Sequence, residues 1–174
     1  MNYEEPLPPD GAKSFLHRSE RGELAMWLAA PTVLVWKYRG YSDAAYLPFI
    51  AMVYDRTLAN LRGRTAMFVD CELQTGYDSD FRRGLVAWTN RMLPLPSTYC
   101  LFVKSRLVAM GISLARLAVG GPAQHVEVVT SRDAYRAKLE AAVRQSLADA
   151  TVNAASGAPT DRFPSSSEGG FGAR

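Results

Sequence analysis

The sequence predicts an α/β domain built on a mixed, largely parallel sheet of about five strands with about four helices. Three observations carry that expectation. Short apolar runs rich in β-branched and aromatic residues recur along the chain. Segments whose apolar residues are spaced three and four apart stand between them. Hydrophobic residues make up 48% of 174 residues, enough for one sizeable core.

In chain order, residues 1–22 read as a flexible leader. Pro6, Pro8, Pro9 and Gly11 discourage regular structure there. The domain is expected over 23–147. Residues 26–29 read as an edge strand ended by Pro31, and residues 32–38 (TVLVWKY) as a stronger strand beside it, the two forming an antiparallel pair. Leu47, Ile50, Tyr54, Leu58 and Leu61 draw one helical stripe, with Pro48 in its first turn and Gly63 as its stop.

The central feature is 64–92, RTAMFVDCELQTGYDSDFRRGLVAWTNRM. Its apolar start predicts a strand buried on both faces and ending at Asp70, as in a parallel sheet. Residues 71–77 read as a loop. A helix opens at Asp78, Ser79 and Asp80, where acidic and hydroxyl side chains cap free N–H groups and suit the positive end of the dipole. Phe81, Leu85, Trp88 and Met92 form its buried face, and Arg82, Arg83 and Arg91 point elsewhere.

Residues 98–103 (TYCLFV) predict another strand, and Leu107, Met110, Ile112, Leu114 and Leu117 a helix stopped by Gly120, Gly121 and Pro122. A strand follows within 124–130. Ser131 then caps a last helix with Tyr135, Leu139, Val143 and Leu147 on its apolar face. From 148 to 174 Ala, Ser, Gly and Pro dominate, which predicts a disordered tail.

Composition narrows the function classes. Net charge is +3 with pI about 9.0, and the basic residues are scattered, which argues against nucleic acid as partner. No apolar run reaches the roughly 20 residues of a membrane-spanning helix. The N-terminal residues lack signal-peptide features, so the expected location is the cytoplasm. Cys71 and Cys100, outside any CxxC spacing, read as reduced thiols. With only His17 and His125 as histidines, no metal, cofactor or catalytic constellation is expected. The turn at 120–122 lacks both GxGxxG and a Walker lysine.

The order of elements and the pattern Asp70, then Asp78-Ser79 at a helix start, resemble the STAS domain, the family of bacterial anti-sigma-factor antagonists and of the cytoplasmic domains of anion transporters. The resemblance covers 23–147. It implies a non-enzymatic regulatory module that binds a protein partner, with Ser79 as the candidate phosphoacceptor and Asp70, Asp78, Ser79, Asp80, Arg82 and Arg83 as candidate contact residues. The sequence departs from the family at Asp80 and Phe81, where a small residue and glycine are common. A phosphate on Ser79, carrying about −1.5 to −2 charge, would face two neighbouring carboxylates. That repulsion equally supports a degenerate, non-phosphorylated relative, in which Asp78, Ser79 and Asp80 only cap the helix.

Two other classes remain open from the residues alone. Asp70, Glu72, Asp78 and Asp80 could serve a small-ligand or cation site, or an enzyme in which Cys71 is a nucleophile. Tyr41, Tyr46, Tyr77 and Trp36 could line an assembly patch for oligomers, or belong to the core.

Overall fold

The structure is a computed structural model of the chain. It describes residues 14–57, 65–92, 97–106, 109, 110, 112 and 126–155.

The described strands are β1 (Ser14–Arg18), β2 (Gly22–Ala30), β3 (Val33–Ser42), β4 (Thr65–Tyr77), β5 (Ser97–Phe102) and β6 (Val126–Val129). They form one sheet in sequence order. β2 runs antiparallel to both its neighbours, β1 and β3, and β3 to β6 run parallel. The described helices are α1 (Tyr46–Thr57), α2 (Ser79–Met92) and α3 (Arg132–Ala155).

Crossover chirality explains the layering. A parallel strand order that advances in one direction puts right-handed crossovers on one face. The crossovers α1 and α2 accordingly share a face, where Tyr46, Ile50, Val53, Tyr54, Phe81 and Trp88 pack against Leu24, Met26, Leu34, Trp36, Met67 and Val69. Gly84 lets these two helices approach, because Leu47 Cδ1 occupies the space a side chain at 84 would need. The last helix, α3, lies on the opposite face. There Tyr135, Leu139, Ala142 and Val143 meet Trp27, Val33, Val35, Phe68, Cys100 and Phe102. Its far end is fastened where Ser146 Oγ accepts a hydrogen bond from Thr32 N at 3.0 Å and lies 2.7 Å from Thr32 Oγ1.

Several boundaries differ from the sequence-based expectation, each for a tertiary reason. The sheet begins inside the expected leader: β1 pairs with β2, so β1, not residues 26–29, is the outer strand. The expected loop 71–77 is the second half of β4. It stays extended because it pairs with the C-terminal half of β3, through register shifts between Asp70 and Leu73 and between Gln74 and Gly76. α3 runs on to Ala155, past the expected start of the tail. Trp36 and Tyr46 are fully buried and belong to the core rather than to an assembly patch, while Tyr77 is half exposed. The expected helix over 107–117 lies largely outside the described residues, as do Leu58 and Leu61.

No described helix is long and apolar enough to cross a membrane.

Candidate functional site

The C-terminal ends of β3 and β4 and the start of α2 meet at one edge of the domain. Ser42, fully buried at the end of β3, organises the junction. Its carbonyl accepts from Asp78 N at 3.1 Å, and its hydroxyl accepts from Gln74 Nε2 at 2.9 Å. These bonds set the point where β4 stops and α2 begins.

Asp78 is the N-cap. Its Oδ1 accepts from Phe81 N at 2.6 Å, and its carbonyl accepts from Arg82 N at 3.1 Å. This satisfies one of the free donors of the first turn. Ser79 is the first helical residue and is exposed; it takes no part in the cap bond. Asp80 pairs with Arg83 one turn on, and both are open to solvent. Arg82 is exposed too. An Asp78→Ala substitution is expected to lower the unfolding free energy by about 1 kcal/mol, while Ser79→Ala changes it by less than about 0.5 kcal/mol, checked by urea denaturation. Equal losses at both positions would contradict the assignment of the cap to Asp78.

Asp70 departs from the expectation of a strand end open to a partner or a cation. It is 2% exposed, in the middle of β4. Arg132, at the start of α3, binds it through Nη1 to Oδ2 at 2.6 Å and Nη2 to Oδ1 at 3.3 Å. Arg132 Nη2 also pairs with Glu72. Asp70 Oδ1 further accepts from Glu72 N at 2.9 Å, an Asx-type bond across the first bulge. The guanidinium lies over the Phe102 ring, 4.3 Å from its centroid. Burial alone would lower the Arg132 pKa, but hydrogen bonds and charge from Asp70 and Glu72 outweigh it and hold the group above its ordinary value. Arg132 is therefore cationic throughout the usable pH range. Sequence reading missed this residue because its partners lie 60 and 62 positions away.

The four carboxylates proposed for a cation thus serve separate ends. Asp70 and Glu72 hold Arg132, Asp78 caps α2, and Asp80 pairs with Arg83. Among the described residues no three His, Cys, Asp or Glu side chains converge on a metal position.

Cys71 is also a poor nucleophile. Burial, with Asp70 beside it, raises its thiol pKa well above the ordinary value. Cys100 is fully buried and pushed up to about 11, chiefly by burial. Native protein at pH 8 is expected to react with a thiol-specific disulfide reagent roughly 100-fold more slowly than the unfolded chain, because the thiolate is the reacting form. Fast modification of either cysteine in the native state would contradict this.

Comparison with known proteins adds one finding. No family model matches the chain, and neither does any curated protein. Among solved structures it is similar to an uncharacterized DUF3478-family protein from Shewanella loihica PV-4 with a SpoIIAA-like fold, at TM-score 0.51 and 11% identity, over 74% of this chain and 94% of that one. At that identity the likeness is one of fold. The fold of this chain is SpoIIAA-like, the STAS-type architecture its order of elements resembles.

Proposed function

We propose that this chain is a non-enzymatic regulatory module of STAS type that engages a protein partner through the start of α2. The observation that carries the reading is the exposed stripe Ser79, Arg82, Arg83 and Val86, spaced i, i+3, i+4 and i+7 on one helix face. Val86 is 47% exposed, and Tyr77, just before the cap, is 50% exposed. Arginine and tyrosine beside an aliphatic residue suit a protein contact, and the two arginines favour a partner surface bearing carboxylates. Asp78 and Asp80 flank the stripe. Asp70, being buried, contributes to the position of β4 and not to the contact surface.

The test is affinity capture with wild-type protein, a Ser79→Glu variant and an Arg82→Glu/Arg83→Glu variant, followed by titration of the enriched protein in purified form. Charge reversal is expected to weaken binding at least about tenfold, since like charges across an interface cost several kcal/mol. A partner bound equally by all three proteins, or no enrichment by wild type over the charge-reversed variant, would remove the proposal. The exposure of Ser79 also favours its role as phosphoacceptor. Phosphopeptide mapping of protein from its native host tests that role separately, and the absence of phosphate on Ser79 leaves the unphosphorylated contact.

A further inference from the structure

The sheet has a step in it. β4 is 13 residues long and β5 only 6. The two pair over residues 65–70 of β4, and the ladder ends at Asp70 opposite Phe102. β5 then leaves the line of the sheet. Val103 N donates to the Val129 carbonyl at 3.1 Å, and Ala109 N donates to the Ser105 carbonyl at 3.0 Å in a helical turn. β4 continues through 71–77, about 20 Å of extended chain, held on its other side by β3. Among the described residues nothing pairs with 71–77 on the side that β5 has left. Backbone groups of a strand alternate between its two edges, so this half of β4 presents unpaired N–H and C=O groups there. The Glu72 N–H is taken by Asp70 Oδ1, which makes 73–77 the open run.

The open run carries none of the usual protection of an edge. It contains no proline and no lysine. Leu73, Thr75 and Tyr77 are exposed, Leu73 by 40%. Leu73 is level with Arg39, and Tyr77 lies 6.5 Å from the Phe81 ring of α2. The step is bounded by the start of α2 on one face and by Arg132 of α3 on the other. It therefore lies at the carboxyl ends of parallel strands, where such sheets hold their ligands. The charges of this corner fix the sign of an occupant. Glu72 is held by Arg132, Asp78 caps α2 and Asp80 pairs with Arg83. Lys104 and Arg106 are exposed directly after β5, on the line an added strand would take. Asp133, exposed in the first turn of α3, leaves the balance positive.

We propose that the step beside residues 73–77 is a docking site for an extended acidic segment of a partner protein, which adds to β4 as a short strand in line with β5. Main-chain hydrogen bonds to the open edge supply binding that is independent of side-chain identity. Leu73 and Tyr77 give apolar contacts to alternate side chains of the segment, and Lys104 and Arg106 select its carboxylates. This surface is separate from the α2 stripe and stands or falls independently of it.

The test starts from random dodecapeptides displayed on phage and selected on the full chain. Selected sequences are expected to be rich in Asp and Glu. A synthetic copy of one is then added to saturation, and amide hydrogen exchange at 71–77 is expected to slow at least tenfold. The peptide is next methylated at one backbone nitrogen at a time. Binding is expected to weaken at least tenfold at every second position only, because one edge of an added strand faces β4. A Lys104→Glu/Arg106→Glu variant is expected to bind at least fivefold more weakly, while an Arg82→Glu/Arg83→Glu variant binds within about threefold of wild type, since rim charges tune an interface they border. The proposal is overturned if no peptide is enriched, if protection falls outside 71–77, or if N-methylation shows no period of two. Loss of binding in the Arg82→Glu/Arg83→Glu variant alone assigns the peptide to the α2 stripe and overturns it as well.

Discussion

Replacing Arg132 with methionine lowers the unfolding free energy by about 3 kcal/mol, because two buried carboxylates lose their partner. Asp70 is 3% exposed in its side chain and Glu72 17%. Methionine keeps much of the aliphatic packing over Phe102, so the loss reports the charge rather than a cavity. The figure sits at the lower end for a broken buried pair, since Glu72 can hydrate and Asp70 retains the Glu72 N–H. For a domain of this size the melting temperature falls by roughly 10 °C. Asp70→Asn is expected to cost less, about 1–2 kcal/mol, because Arg132 keeps Glu72 and the amide still accepts from the backbone. Urea denaturation of both variants checks the order. A loss below about 1 kcal/mol for Arg132→Met would show that this ion pair does not fasten α3 to β4.

A second large effect is expected at the open end of the β2–β3 hairpin. Gly40 has φ of +71°, and it pairs with Gly22 across the two strands. A Cβ at Gly40 would come within 2.5 Å of the Arg21 carbonyl oxygen and 2.9 Å of Gly22 Cα. Those neighbours are backbone, and they are held by the Tyr41 N–H bond to the Arg21 carbonyl at 2.9 Å. Gly40→Val therefore combines a left-handed strain of about 1–2 kcal/mol with a clash that only strand separation relieves. The expected total is about 3 kcal/mol or more. Hydrogen exchange is expected to show the loss first in Gly22–Ala30 and Val33–Ser42. A variant with wild-type stability would mean that the hairpin end is not a fixed point of the sheet.

These two sites differ in how far they can be read from sequence. Alternation of β-type and helix-type apolar spacing identified β3, the first half of β4, β5, β6, α1, α2 and α3, because each helix buries one apolar stripe and the central strands, covered on both faces, are near-continuous apolar runs. The cap at Asp78 was legible for the same local reason: the residue type and the helix it starts are adjacent. Ser79 could be placed at the helix start from sequence, but its exposure could not.

The second half of β4 was not legible. Residues 71–77 include Glu72, Gln74, Thr75 and Gly76, a loop-like composition. They are extended because the C-terminal half of β3 offers backbone partners, which no local propensity encodes. β1 was missed similarly, as a five-residue strand with alternating exposure that exists by pairing with β2.

By itself, then, the sequence determined the α/β class, the order of most elements along the chain and the N-cap of α2, all set by interactions within a few residues. Only the tertiary structure decided that Asp70 is a buried partner of Arg132 rather than a surface carboxylate, that the loop after it is strand, and that β1 is the outer strand of the sheet. Each of these depends on what lies across the sheet, and burial and pairing between distant segments outweigh what either segment prefers alone.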